Sequence, residues 1–160
     1  MRAMELLESS PVIAAVKDEN GLKRSFESEC QVVFILYGNI CSIEGIVRQV
    51  KEQGKTAIVH ADLTAGLSQK EVAVDFIRQN TQADGIISTK PLLVKRAVEL
   101  GLFGIQRTFI IDSMAMNTTK KQIDAFRPDL IEVMPGIMPK VLKEIRAYTK
   151  IPIIAGGLIS

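Results

Sequence analysis

Short apolar runs recur along this chain at intervals of roughly 20–30 residues, about the length of one compact strand–helix repeat. The runs are Val12–Val16, Val32–Leu36, Thr56–Ala61, Gly85–Ser88, Thr108–Asp112, Leu130–Met134 and Ile151–Ala155, and helix-length segments separate them. None alternates cleanly between polar and apolar, as expected of strands covered on both faces. The last unit, Asp129 to Gly157, is the clearest. Two apolar runs bracket one amphipathic segment, which is the sequence form of a parallel βαβ unit, and each run ends in turn-forming residues, Pro135-Gly136 and Gly156-Gly157.

The intervening segments carry helix punctuation. Ser42 is placed to cap Ile43–Gln53, which Gly54 ends. Ser68 and Glu71 form a capping-box pair ahead of Val72–Arg78. Pro91 suits the first turn of a helix running to Leu100 and closed by Gly101; Ser113 can cap Met114–Phe126; Pro139 starts a helix ending near Tyr148. Gly21–Ser28 is the weakest of the set, and Arg2–Glu8 can form a short helix across the bottom of the fold.

Strict alternation leaves an open doubly wound sheet or a (β/α) barrel. A dinucleotide-binding open sheet needs a G-x-G-x-x-G turn after its first strand, and here that turn reads Lys17-Asp18-Glu19-Asn20-Gly21. Polar residues instead follow nearly every strand, and a barrel gathers ligand contacts from all of its strands. The expectation is therefore a single TIM-type (β/α)-barrel domain over residues 1–160. Seven strands are present, and the chain reads as truncated before the eighth.

Composition narrows the function. At 47% apolar and 24% charged residues the chain is an ordinary globular one, and a net charge of +2 does not by itself demand nucleic acid or membrane. Cys30, Cys41 and the one histidine lack metal-ligand spacing, so no zinc site is expected. No cofactor is expected either. Two cysteines that fit a reducing compartment, no secretory signal and no membrane-length run suit a soluble cytoplasmic protein.

The candidate site lies beyond the strand ends. Gly156-Gly157 offers bare backbone amides to a phosphate, because in many barrels the loops after strands seven and eight form such a cradle. Gly136 ends the strand before it. Lys17 and Lys90 can counter an anion there. Asn39, Asp62, Asp112 and Glu132 can meet the hydroxyls of a small polyol, while His60, Asp62 and Glu132 can equally be read as acid–base groups. Lys140, Lys143, Arg146 and Lys150 share one helical face and suit nucleic-acid phosphates or plain solvent. These residues support a phosphate-binding barrel without deciding whether it is an enzyme.

Several segments resemble one family: Ile35-Leu-Tyr-Gly-Asn-Ile40, Val59-His-Ala-Asp-Leu63 with Gly66, Asp84-Gly-Ile-Ile-Ser-Thr-Lys90, Gln106-Arg107 leading to Asp112-Ser113, Ile131-Glu-Val-Met-Pro-Gly136 and Ile151-Pro-Ile-Ile-Ala-Gly-Gly157. In this order they resemble the glycerol-3-phosphate-responsive antiterminators, or glycerol uptake operon antiterminator regulatory proteins. The resemblance implies a TIM barrel that binds glycerol 3-phosphate as its effector and is not a catalyst. It further implies that the liganded protein acts on the leader messenger RNA of glycerol-catabolic genes, so that transcription reads through a terminator. It leaves room for a homo-oligomer. The rival expectation is an isomerase, lyase or phosphodiesterase working on a small phosphorylated metabolite.

Overall fold

A computed structural model describes residues 13–134 and 139–155. Seven strands alternate with helices: β1 (Ile13–Val16), α1 (Glu19–Glu27), β2 (Val32–Ile35), α2 (Ile43–Glu52), β3 (Thr56–His60), α3 (Glu71–Asn80), β4 (Gly85–Ser88), α4 (Pro91–Glu99), β5 (Phe103–Phe109), α5 (Ser113–Ala125), β6 (Leu130–Met134), α6 (Pro139–Tyr148) and β7 (Ile153–Ala155). A 3-10 turn over Ala61–Leu63 follows β3. The strands pair in parallel and in sequence order, β1 to β7. A doubly wound sheet reverses its order at a switch point, and the described strands show none. The sheet curls until residues of β1 and β7 line one cavity. Among the described residues this is a TIM-like barrel fold of seven strands.

Alternation along each strand sorts side chains into two layers. Ile13, Phe34, Ile58, Ile87, Ile105 and Leu130 point inward and form one apolar cluster. Their neighbours Val33, Ile35, Ala57, Val59 and Ile86 point outward, onto Ile43, Val47, Val50, Val74, Ile77 and Val94 of the helices. Ile131 and Val133 do the same against Met116, Ile123 and Ile145. Each fully buried side chain of this size contributes about 1.5–3 kcal/mol, so both faces of the sheet are needed to hold the fold.

Two aspartates tie the bottom of the barrel by one repeated device. Asp84, just before β4, accepts from the Ala57 amide at 2.8 Å and from Lys51 Nζ at 2.9 Å. Asp129, just before β6, accepts from the Gly104 amide at 2.8 Å. Between them Gly85 lies against β5, where a Cβ would meet the Phe103 carbonyl oxygen at 2.5 Å. Backbone cannot move aside as a flexible side-chain tip can. Gly85→Ala is expected to cost about 1–3 kcal/mol, read as a lower urea midpoint; an unchanged midpoint would show that β4 and β5 can separate there.

Several boundaries differ from the sequence reading. The fifth strand begins at Phe103, ahead of the expected Thr108, because Gly104, Gln106 and Arg107 hid it. Asp112, not Ser113, caps α5 by accepting from the Ala115 amide at 2.7 Å; a carboxylate at the positive helix end outcompetes a hydroxyl one residue later. Ser42 stands at the N-cap of α2 but makes no capping bond. Asn39 shapes that entry instead, its Oδ1 accepting from the Cys41 and Ser42 amides at 2.8 and 3.0 Å. Ser68 does not pair with Glu71; its hydroxyl accepts from the Lys70 amide at 3.2 Å. The helix expected over Arg2–Glu8 lies outside the described residues.

Candidate functional site

Three polar side chains converge on the inside of the barrel mouth. Arg107 of β5 and Glu132 of β6 are register partners in adjacent parallel strands, so they project from the same face as neighbours. Arg107 Nε donates to Glu132 Oε1 at 2.5 Å, with the two side chains 15% and 7% exposed. The sequence offered Glu132 as a ligand or acid–base group without a partner; its partner is the arginine on the neighbouring strand. Both line a cavity of about 380 Å³ whose other described walls are Ile13, Ala15, Phe34, Leu36, Leu63, Met134 and Ile154, with Lys17 at the end of β1. Apolar walls with a few convergent polar groups, in a volume of this order, are the usual form of a small-molecule site.

His60 sits behind this pair. It is the last residue of β3, on the inward-facing set with Ile58, and only 2% exposed. Neither ring nitrogen has a hydrogen-bond partner among the described residues. Burial first, and then the charge of Arg107, push its pKa down to about 4, so the ring is neutral at pH 7.

Asp62 forms a latch between loops. It accepts from Ser88 Oγ at 2.5 Å, the Thr89 amide at 2.9 Å and Thr89 Oγ1 at 2.5 Å, with Lys90 Nζ 3.9 Å away. Burial alone raises its pKa, but these hydrogen bonds outweigh burial and hold the carboxyl below the ordinary aspartate value. Gln106 extends the latch to β5, its Nε2 donating to the Thr89 carbonyl at 3.0 Å. The loops after β3 and β4 are thus tied to the strand that carries Arg107.

A family sequence model described as "Glycerol-3-phosphate responsive antiterminator" matches residues 12–160. The chain belongs to this family. A relative from Escherichia coli (strain K12), the uncharacterised protein YgcP, is 48% identical over 159 residues, covering 99% of this chain and 83% of its own. The glycerol uptake operon antiterminator regulatory protein of Listeria monocytogenes superposes with a TM-score of 0.88 at 33% identity, over 92% of this chain and 80% of that one. An antiterminator-related protein of Thermotoga maritima gives 0.81 at 33% identity, over 92% and 83%.

Within this antiterminator fold the sequence-derived candidates separate. Lys17 and Glu132 meet at one cavity, joined by Arg107. Asp62 and Lys90 stand together at the adjoining latch and do not line that cavity. Asn39 and Asp112 are exposed and spend their side-chain oxygens on local turns, at the entries of α2 and α5. Lys140, Lys143, Arg146 and Lys150 are exposed on or just beyond α6. Gly136, Gly156 and Gly157 lie outside the described residues. Arg107 was missed as a site residue. The available signal was a Gln-Arg pair amid apolar residues, two steps from Ile105 and so on the inward face. Among the described residues no helix is long and apolar enough to cross a membrane, and no group of three or more acidic, His or Cys side chains could hold a metal.

Proposed function

We propose that this protein is a ligand-responsive regulator. It binds glycerol 3-phosphate in the barrel mouth, and the liganded form engages the leader messenger RNA of glycerol-catabolic genes so that transcription passes a terminator. The observation that carries this reading is the cavity itself: two cations, Lys17 and Arg107, and one carboxylate, Glu132, set in otherwise apolar walls. Cations suit a phosphate, and the carboxylate suits hydroxyls. The family and both antiterminator neighbours support the regulatory role. His60, with no group orienting either nitrogen among the described residues, gives little support to an acid–base dyad.

The RNA surface we favour is the exposed row of Lys140, Lys143, Arg146 and Lys150. Its helix, α6, connects the strand of Glu132 to β7 and buries Ile145 on its opposite side. With a net charge of only +2, attraction must be local. Binding of leader RNA should tighten with glycerol 3-phosphate by roughly 5–150-fold, the usual range for coupled sites, and RNA should tighten the effector by the same factor. The double variant Lys143→Glu/Arg146→Glu should flatten the salt dependence by about 0.7 per lost phosphate contact. RNA affinity indifferent to the effector at every salt concentration would end the regulatory reading. Rapid conversion of glycerol 3-phosphate, followed by NMR, would replace it with an isomerase, lyase or phosphodiesterase.

A further inference from the structure

We propose that the Arg107–Glu132 pair is a selectivity filter: it admits phosphate esters that carry free hydroxyls and rejects anions that lack them. This rests on the effector reading above and specifies how that site chooses its ligand. The first observation is the cavity lining. Lys17 and Arg107 supply its positive charge, and the remaining described walls are aliphatic, aromatic or thioether apart from Glu132. Glu132 is therefore the one strong side-chain acceptor that a ligand hydroxyl can find there among the described residues.

The second observation is the geometry of the pair. Arg107 uses Nε on Glu132 Oε1, which leaves its terminal nitrogens free of Glu132. A phosphate seated on those N–H groups lies within a few ångströms of the carboxylate. With Glu132 only 7% exposed, little water screens the like-charge repulsion. A bare anion gains the attraction of Lys17 and Arg107 but meets that repulsion with no hydroxyl to place on the carboxylate. A glycerol phosphate brings hydroxyl donors to the same carboxylate, which has roughly three lone-pair sites left after Arg107 has taken one. The carboxylate thus repels the anion and accepts the polyol, and only a ligand carrying both functions gains from it.

The test is calorimetry on the full-length protein with glycerol 3-phosphate, propyl phosphate and inorganic phosphate. Propyl phosphate keeps the charge and chain length and has no hydroxyls. Wild type should prefer glycerol 3-phosphate by about tenfold or more, since a site built to bond a hydroxyl rejects the analogue without it. Glu132→Gln removes the repulsion and keeps a neutral acceptor. It should tighten propyl phosphate and inorganic phosphate by roughly tenfold while weakening glycerol 3-phosphate or leaving it unchanged. If Glu132→Gln melts at low temperature, the wild-type comparison still decides. Equal wild-type affinity for the glycerol and propyl esters overturns the filter and leaves the effector site standing. Losses for all three ligands in Glu132→Gln overturn it as well, reducing Glu132 to a support for Arg107. Wild type that binds none of the three overturns the effector reading and the filter with it.

Discussion

Replacing Arg107 by methionine should destabilise the protein by about 3–5 kcal/mol, the usual cost of removing one partner from a buried ion pair. For a domain of this length that corresponds to a fall in melting temperature of roughly 6–20 °C. The cause is the group left behind. Glu132, its side chain 7% exposed, would be left in an apolar wall without its ion-pair partner. The double variant Arg107→Met/Glu132→Met should recover most of the loss, because two apolar side chains of similar length suit the surrounding Met134, Leu36 and Ile154. Glu132→Met alone should cost less, since the orphaned arginine is longer and can reach toward the open mouth. Thermal or urea melts of the four proteins give the coupling directly as a double-mutant cycle. A single Arg107→Met variant that melts within a degree or two of wild type would mean that water already reaches Glu132. In that case the pair contributes little to stability.

The same pair shows what was legible in the sequence and what was not. The parallel sense of the strands and the barrel could be read because strands such as β2 and β4 bury both faces, leaving uninterrupted apolar runs at Val32–Ile35 and Gly85–Ser88. The fifth strand broke that rule and was read late, at Thr108. Its Gln106 turns outward to the Thr89 carbonyl and its Arg107 turns inward to Glu132, so two polar residues occupy consecutive strand positions. Pairing across strands is invisible until register is known: Arg107 and Glu132 are 25 residues apart in the chain and adjacent in the sheet. The reverse confusion explains Asn39 and Asp112. Polar residues at strand ends look like ligands in sequence, yet a helix entry needs side-chain acceptors for its free amides, and both residues meet that need. Asp62 lies between these cases, in the loop where a ligand group is expected but already accepting three hydrogen bonds.

The chain's one histidine gives the protein a dependence on pH that can be assigned to a single residue. His60 has its pKa lowered from 6.5 to about 4 in the folded protein, by burial first and by Arg107 second, with Asp62 pulling weakly the other way. In the unfolded chain the ring titrates near its ordinary value of about 6.5. Between these values the unfolded state binds the extra proton, so stability falls as pH falls through this window and levels off below about 4. The full window is worth on the order of 3 kcal/mol. Its upper part, from pH 6.5 to 5, accounts for about 2 kcal/mol and is nearly free of carboxylate titration. Asp62, whose pKa is also lowered, adds a loss of the same sign at lower pH, once its carboxyl in the unfolded chain begins to hold its proton. His60→Leu should remove the slope above pH 5. It should cost little or nothing at pH 7, because it replaces two unpartnered buried nitrogens with an apolar group of similar size. Urea unfolding of both proteins at pH 7, 6 and 5 tests this. Parallel slopes in wild type and His60→Leu, or an imidazole midpoint near 6.5 by NMR in the folded protein, would show that the ring is solvated and that Arg107 does not bear on it.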